Sequence, residues 1–213
     1  MTTQLSIYNS ALRQCGERKI ASLSENREPR RVLDSAWDDG LISYCLEQGL
    51  WNFAMRTVKL EYSPSVEPSF GYSRAFDKPT DHVRTAGLCS DEFFTCPLLQ
   101  YTDEAGYWFA ELDTIYVRYV SDDNAYGNDM SLWPQTFTKF VSAYLAGEVA
   151  ERITGNRSKA DEIKKEARKL LIDARSKDAM AEPTTTMPQG SWVSARQGRG
   201  GRRDRGNRGG LIG

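Results

Sequence analysis

Apolar residues follow a helical period towards both ends of this chain and a strand period in its middle. Leu5, Tyr8, Leu12 and Cys15 stand three and four apart, so a helix is expected over about 3–15, with Gly16 placed to stop it. After a short connector anchored by Ile20 and Leu23, the period returns in Leu33, Ala36, Trp37, Gly40, Leu41 and Tyr44. Ser24 or Asn26 can accept from the first free helical N–H groups, Pro29 suits the first turn, and Gly49 ends the run. This spacing predicts one helix of about 20 residues, roughly 30 Å long. Its first half carries a charged side with Arg31, Asp34, Asp38 and Asp39, whereas Ile42 and Leu46 make the second half apolar all round. Such a helix must be covered on every side, by its own chain or by another copy.

From Trp51 the period shortens to two. Phe53 and Met55, then Val58, Leu60 and Tyr62, alternate with polar neighbours, and Pro64 and Pro68 end the run. Further β pieces are expected at 70–76, 83–88, 93–100, 107–110 and 114–120, the last with Ile115, Val117 and Tyr119 on one face. Turns are expected at 79–81, 89–91 and 103–106. Helical spacing resumes after Trp133-Pro134 with Phe137, Val141, Tyr144, Leu145, Val149 and Ile153, and stops at Gly155. Asn156 caps a last helix carrying Ala160, Ile163, Ala167, Leu170, Leu171 and Ala174. The expected class is α+β. An antiparallel helical bundle body (1–50 and 126–180) carries an inserted antiparallel β-rich domain (51–125) and a flexible C-terminal tail (181–213).

Composition sharpens the ends of this picture. With 39% hydrophobic residues among 213, the chain has enough apolar surface for a core, and no apolar run approaches a membrane span. The start lacks a basic region followed by an apolar one, so no secretion signal is expected. Cys15, Cys45, Cys89 and Cys96 form no close pair and read as thiols in a reducing compartment. Beyond residue 182, six arginines face one aspartate, a charge of +5; the remainder holds 22 basic and 28 acidic residues, or −6. Pro183-Thr-Thr-Thr-Met-Pro188 reads as a linker, and the Gly/Arg-rich end buries too little to offset its chain entropy.

Candidate chemistry is sparse. His82 follows Asp81 in a Pro-Thr-Asp-His turn and reads as a surface residue without a nucleophile. Asp122-Asp-Asn124 resembles the start of a calcium loop, but Tyr126 and Trp133 occupy ligand positions, so it reads as an acidic loop. No catalytic, cofactor or metal site is expected. Arg27, Arg30 and Arg31 crowd the positive end of a helix dipole. Either Arg30 and Arg31 pair with Asp34 in the same helix or the arginines form a salt bridge to a neighbouring subunit. In the tail, Arg196, Arg199, Arg202, Arg203, Arg205 and Arg208 can neutralise phosphates without reading sequence. Alternatively, Trp192 and Val193, or Leu211 and Ile212, insert into a groove on another protein while the arginines pair at its rim.

Several segments carry a resemblance through their order and spacing. They are Tyr8-Asn-Ser-Ala-Leu-Arg-Gln-Cys-Gly16 running to Leu23, Glu25-Asn-Arg-Glu-Pro-Arg-Arg, and Cys45-Leu-Glu-Gln-Gly-Leu-Trp51-Asn-Phe-Ala. Tyr72-Ser-Arg-Ala-Phe76-Asp-Lys-Pro79-Thr-Asp81, Ile115-Tyr-Val-Arg-Tyr-Val-Ser and Leu132-Trp-Pro134-Gln-Thr-Phe137 follow. Over about residues 4–175 the chain resembles the head-to-tail adaptor proteins of tailed bacteriophages, the tail tubular protein A family. The resemblance implies a non-enzymatic virion protein without cofactors, built as a twelve-copy ring under the portal protein. Such a ring extends the channel for viral double-stranded DNA and receives a distal tail component, a nozzle or tail-tube protein. It implies a location at the head-tail interface of the virion after assembly in the host bacterial cytoplasm, with no membrane partner. On this reading Trp37, Leu41, Ile42 and Leu46 are buried between subunits, with Arg27, Arg30 and Arg31 near acidic partners. The region 101–119 faces the distal component, and the C-terminal tail reaches the portal or the DNA. The rival expectation is a free nucleic-acid-binding protein acting through the Arg/Gly-rich tail.

Overall fold

The computed structural model describes residues 2–68 and 71–181. Helix α1, Gln4–Cys15, forms where the 3–15 period predicts it. Thr3 and Ser6 cap each other's backbone N–H groups, and Gly16 closes the helix in the left-handed region at φ 82°. Its inner face is Ile7, Tyr8, Ala11, Leu12 and Cys15.

The expected long helix over 24–48 is two helices, α2 (Glu28–Asp38) and α3 (Leu41–Glu47), broken at Gly40. Gly40 adopts φ 89°, a conformation that ends a right-handed helix. Asp38 and Asp39 just before it put negative charge at the negative end of the α2 dipole, so nothing favours continuation. Pro29 lies in the first turn as expected, but no side chain caps α2. Asn26 Oδ1 accepts from Arg31 instead. Arg30 pairs with Asp34 in the same helix, and Arg27 pairs with Glu25 at 3.6 Å.

The helix that is covered on all sides is α4, Gln135–Thr154, with ten of its 20 residues buried. Phe137, Phe140, Val141, Leu145 and Val149 supply the large groups; Ser142, Ala143, Ala146, Gly147 and Ala150 let neighbours approach its remaining sides. Helices α1, α2 and α3 pack against it, as does α5, Arg157–Ala181, which returns antiparallel after Gly155. Among the described residues, no helix is long and apolar enough to cross a membrane.

Between α3 and α4 the described residues form six strands in two antiparallel sheets. They are β1 (Met55–Glu61), β2 (Arg74–Asp77), β3 (His82–Cys89), β4 (Thr102–Glu104), β5 (Tyr107–Ala110) and β6 (Thr114–Ser121). One sheet has the order β1-β6-β3, with Met55 opposite Val120 and Cys89 opposite Tyr116. The other has the order β2-β5-β4, with Arg74 opposite Ala110. Phe76, Trp108 and Ala110 of the second sheet share one apolar layer with Leu88, Ile115, Val117 and Tyr119 of the first.

This arrangement corrects the expected class. The described residues form an α+β fold with five α-helices and two small three-stranded sheets, not a helical bundle body with a large inserted β domain. Met55, Val83 and Val120 pack into the helical core, so the first sheet is rooted there, and Met1–Ala181 forms one unit. The expected strand at 93–100 is a loop joined to β3 by a single bridge, Cys89 to Pro97. The expected turn at 103–106 is narrower: β4 and β5 are joined by Ala105 and Gly106 alone, at φ 46° and 87°, the signs a two-residue hairpin turn requires.

Candidate functional site

His82 is not a surface turn residue. It opens β3, half-buried, with its ring edge-on to Trp108 at 5.2 Å and 5.5 Å from Tyr119. Beside it the Asp81 carboxylate accepts from Arg56 at 2.8 Å, from the Tyr119 hydroxyl at 3.1 Å and from Ser121. Burial opposes ionisation of Asp81, but the bonds from Ser121, Arg56 and Tyr119 outweigh it and hold the carboxyl below its usual range. A carboxylate whose oxygens are filled by three fixed donors is a clamp tying β1 and β6 to the turn before β3 rather than a poised base. The acidic stretch after it folds on itself, Asp123 accepting from the Ala125 N–H at 2.9 Å. Among the described residues no three His, Cys, Asp or Glu side chains gather to hold a metal.

The exposed apolar groups tell more. Residues 90–100 leave β3 at the sheet end remote from the helices, since Val83 packs on the helical core and Leu88 on the layer between the sheets. That separation is about 16 Å of strand. Asp91 pins the loop: its carboxylate accepts from the Thr95 N–H at 3.0 Å, the Thr95 hydroxyl at 2.6 Å and the Cys96 N–H at 2.8 Å. These three donors hold the Asp91 carboxyl below its ordinary value. The fixed loop presents Phe93 at 78% exposure and Leu99 at 86%, far above the burial usual for such residues.

A concave counterpart lies in the helical layer. Tyr44 of α3 stacks on Tyr144 of α4, and a groove of about 280 Å³ opens beside the pair, floored by Phe140, Tyr144, Ala167 and Leu171. Lys164 and Arg168 stand at its edge. Lys164 reaches Glu148 only at 4.0 Å, and Arg168 pairs with no carboxylate among the described residues. On the other side of the tyrosines a wider, more polar cleft of about 740 Å³ runs between α2 and α4 past Arg31 and Arg152.

The residues expected between subunits differ in burial within the single chain. Leu41 and Leu46 are buried by the chain itself, and Trp37 and Ile42 are partly buried against the same core. Arg27 and Arg30 have partners within their own segment, and Arg31 bonds Asn26 and lines the wider cleft. Of the region 101–119, Trp108, Ala110, Ile115, Val117 and Tyr119 face the interior. Trp192, Arg196, Arg199, Arg202, Arg203, Arg205, Arg208, Leu211 and Ile212 lie outside the described residues. Sequence reasoning missed Phe93 and Leu99 as surface groups; the signal available was Asp91 followed by Thr95, Cys96 and Pro97, a locally capped turn. The chain matches no family model and no curated protein.

Proposed function

We propose that this chain is a head-to-tail connector subunit of a tailed-bacteriophage virion. Copies assemble as a ring, with twelve the expected number, under a portal protein, extend the DNA channel and receive a distal tail component. The observation that carries the reading is the pairing, on one unit, of a pinned apolar projection at Phe93 and Leu99 with a separate apolar groove at Tyr144. Two different unpartnered patches on one chain suit head-to-tail contacts, which close into rings when the rotation between copies closes. The ordered segments that resemble tail adaptors supply the identity of the assembly. The acidic balance of the body, −6 outside the last 31 residues, suits a conduit that phosphate must pass without sticking.

The experiment is native mass measurement of the full chain, alone and mixed with purified portal protein. The connector reading expects a discrete complex in which many copies join each portal. A chain that ignores portal and binds DNA through residues 183–213 contradicts it and supports the free nucleic-acid-binding alternative.

A further inference from the structure

We propose that the loop at residues 90–100 of one copy seats in the Tyr144 groove of a second copy, so that identical chains join head to tail through these two patches. The projection is preorganised: three bonds to Asp91 fix the loop before any partner arrives, which lowers the ordering cost of binding. The groove offers matching chemistry, an aromatic and aliphatic floor of Phe140, Tyr144, Ala167 and Leu171 in a space of about 280 Å³, more volume than a phenyl ring occupies. Charge agrees as well. Glu92, next to Phe93, has no ion-pair partner among the described residues, and neither has Arg168 at the groove edge. Seating Phe93 brings these opposite charges together at a rim, where they favour orientation more than affinity.

A chain is unable to satisfy itself this way, because its loop lies at the sheet end remote from the helices that form the groove. The contact is therefore heterologous, and each copy added leaves one loop and one groove free until a ring closes. Its biological meaning rests on the connector reading; the contact itself does not.

The structure supplies one half of a test. Cys96 in the loop is exposed, whereas Cys15, Cys45 and Cys89 are buried. In the full chain, Arg168→Cys places a second thiol at the groove edge, and Arg13→Cys places one on α1, away from it. Under mild oxidation the unsubstituted chain stops at Cys96-linked dimers. Docking raises the effective concentration of the loop thiol at position 168, so Arg168→Cys is expected to form trimers and longer ladders at least about tenfold faster than Arg13→Cys. Adding Phe93→Ser and Leu99→Ser, both at exposed positions, to Arg168→Cys is expected to abolish that advantage. Equal ladder rates for Arg168→Cys and Arg13→Cys, or an advantage that survives loss of Phe93 and Leu99, overturn the proposal. Portal binding is measured alongside. Portal binding with equal rates removes this contact and leaves the connector reading, and fast ladders without portal binding do the reverse.

Discussion

Tyr44 of α3 and Tyr144 of α4 stack with ring centroids 4.7 Å apart and planes 20° from parallel, making a ridge between the two clefts of the helical layer. The rings are unequal in burial: Tyr44 is 43% exposed, while Tyr144 also packs on Phe140 at 6.2 Å. Tyr44→Ala is expected to cost about 1 kcal/mol, the worth of an aromatic pair, and Tyr144→Ala about 3 kcal/mol because apolar burial is lost too. Urea unfolding of the two variants checks this; equal losses would mean that Tyr144 contributes no more than its stacked partner.

The Asp81 clamp is a second point of leverage. Asp81→Ala strands Tyr119, Ser121 and Arg56 without their common acceptor, at an expected cost of about 2 to 3 kcal/mol. Asp81→Asn keeps one carbonyl acceptor and is expected to lose about half as much. Unfolding curves that rank the two variants in the opposite order would show that the charge on Asp81 burdens the fold.

His82 gives the fold a pH dependence with a definite sign. Burial, then the nearby Lys78 ammonium, push its imidazole below the ordinary value. The unfolded chain therefore binds the proton more readily. The stability contributed is full above about pH 6.5 and is lost as pH falls through the lower folded-state value. Because the chain has one histidine, unfolding free energy is expected to fall between about pH 7 and pH 5 in the parent and to stay flat in His82→Gln. A matching slope in both proteins would assign the titration to another group. The Asp81 carboxyl, also depressed, loses its contribution only in more acid solution, below about pH 4.

Two glycines separate backbone conformation from packing. At Gly127 a Cβ would clash with the Ser121 carbonyl oxygen and lie 2.6 Å from a Leu46 methyl, so Gly127→Ala is expected to cost about 3 kcal/mol. At Gly40 a Cβ meets nothing within 4 Å, and Gly40→Ala is expected to cost about 1 kcal/mol, for its positive φ alone. Thermal melts check the order. A stabilised Gly40→Ala chain would mean that α2 and α3 fuse into the continuous helix that the period suggests.

That fused helix marks where sequence and structure part. Helix α1 was legible because Leu5, Tyr8, Leu12 and Cys15 form a regular stripe that Gly16 ends, and β6 because Ile115, Val117 and Tyr119 alternate without interruption. Gly40 falls in register with Ala36, Trp37 and Tyr44, and counting it as part of the stripe hides the stop written in Asp38-Asp39-Gly40. The centre of the helical layer was misplaced for a related reason. Alanine, serine and glycine at 142, 143, 146, 147 and 150 weigh little in an apolar stripe, yet their small size lets four helices close on α4. The loop at 90–100 reads as a strand from Phe93, Leu98 and Leu99, but Asp91 takes the N–H groups of Thr95 and Cys96, and Pro97 has none to offer a ladder. Of the candidate surfaces, the Tyr144 face was visible as a helical stripe. Its exposure was not, because a period states which residues share a face and leaves open whether the chain covers it.

The most direct measurement is electron microscopy of portal particles incubated with the full chain. The connector account predicts an added ring coaxial with the portal, with twelve repeats of a unit that has helical and sheet ends. Portal particles left unchanged at saturating chain, with the chain recovered as free monomer, would contradict it.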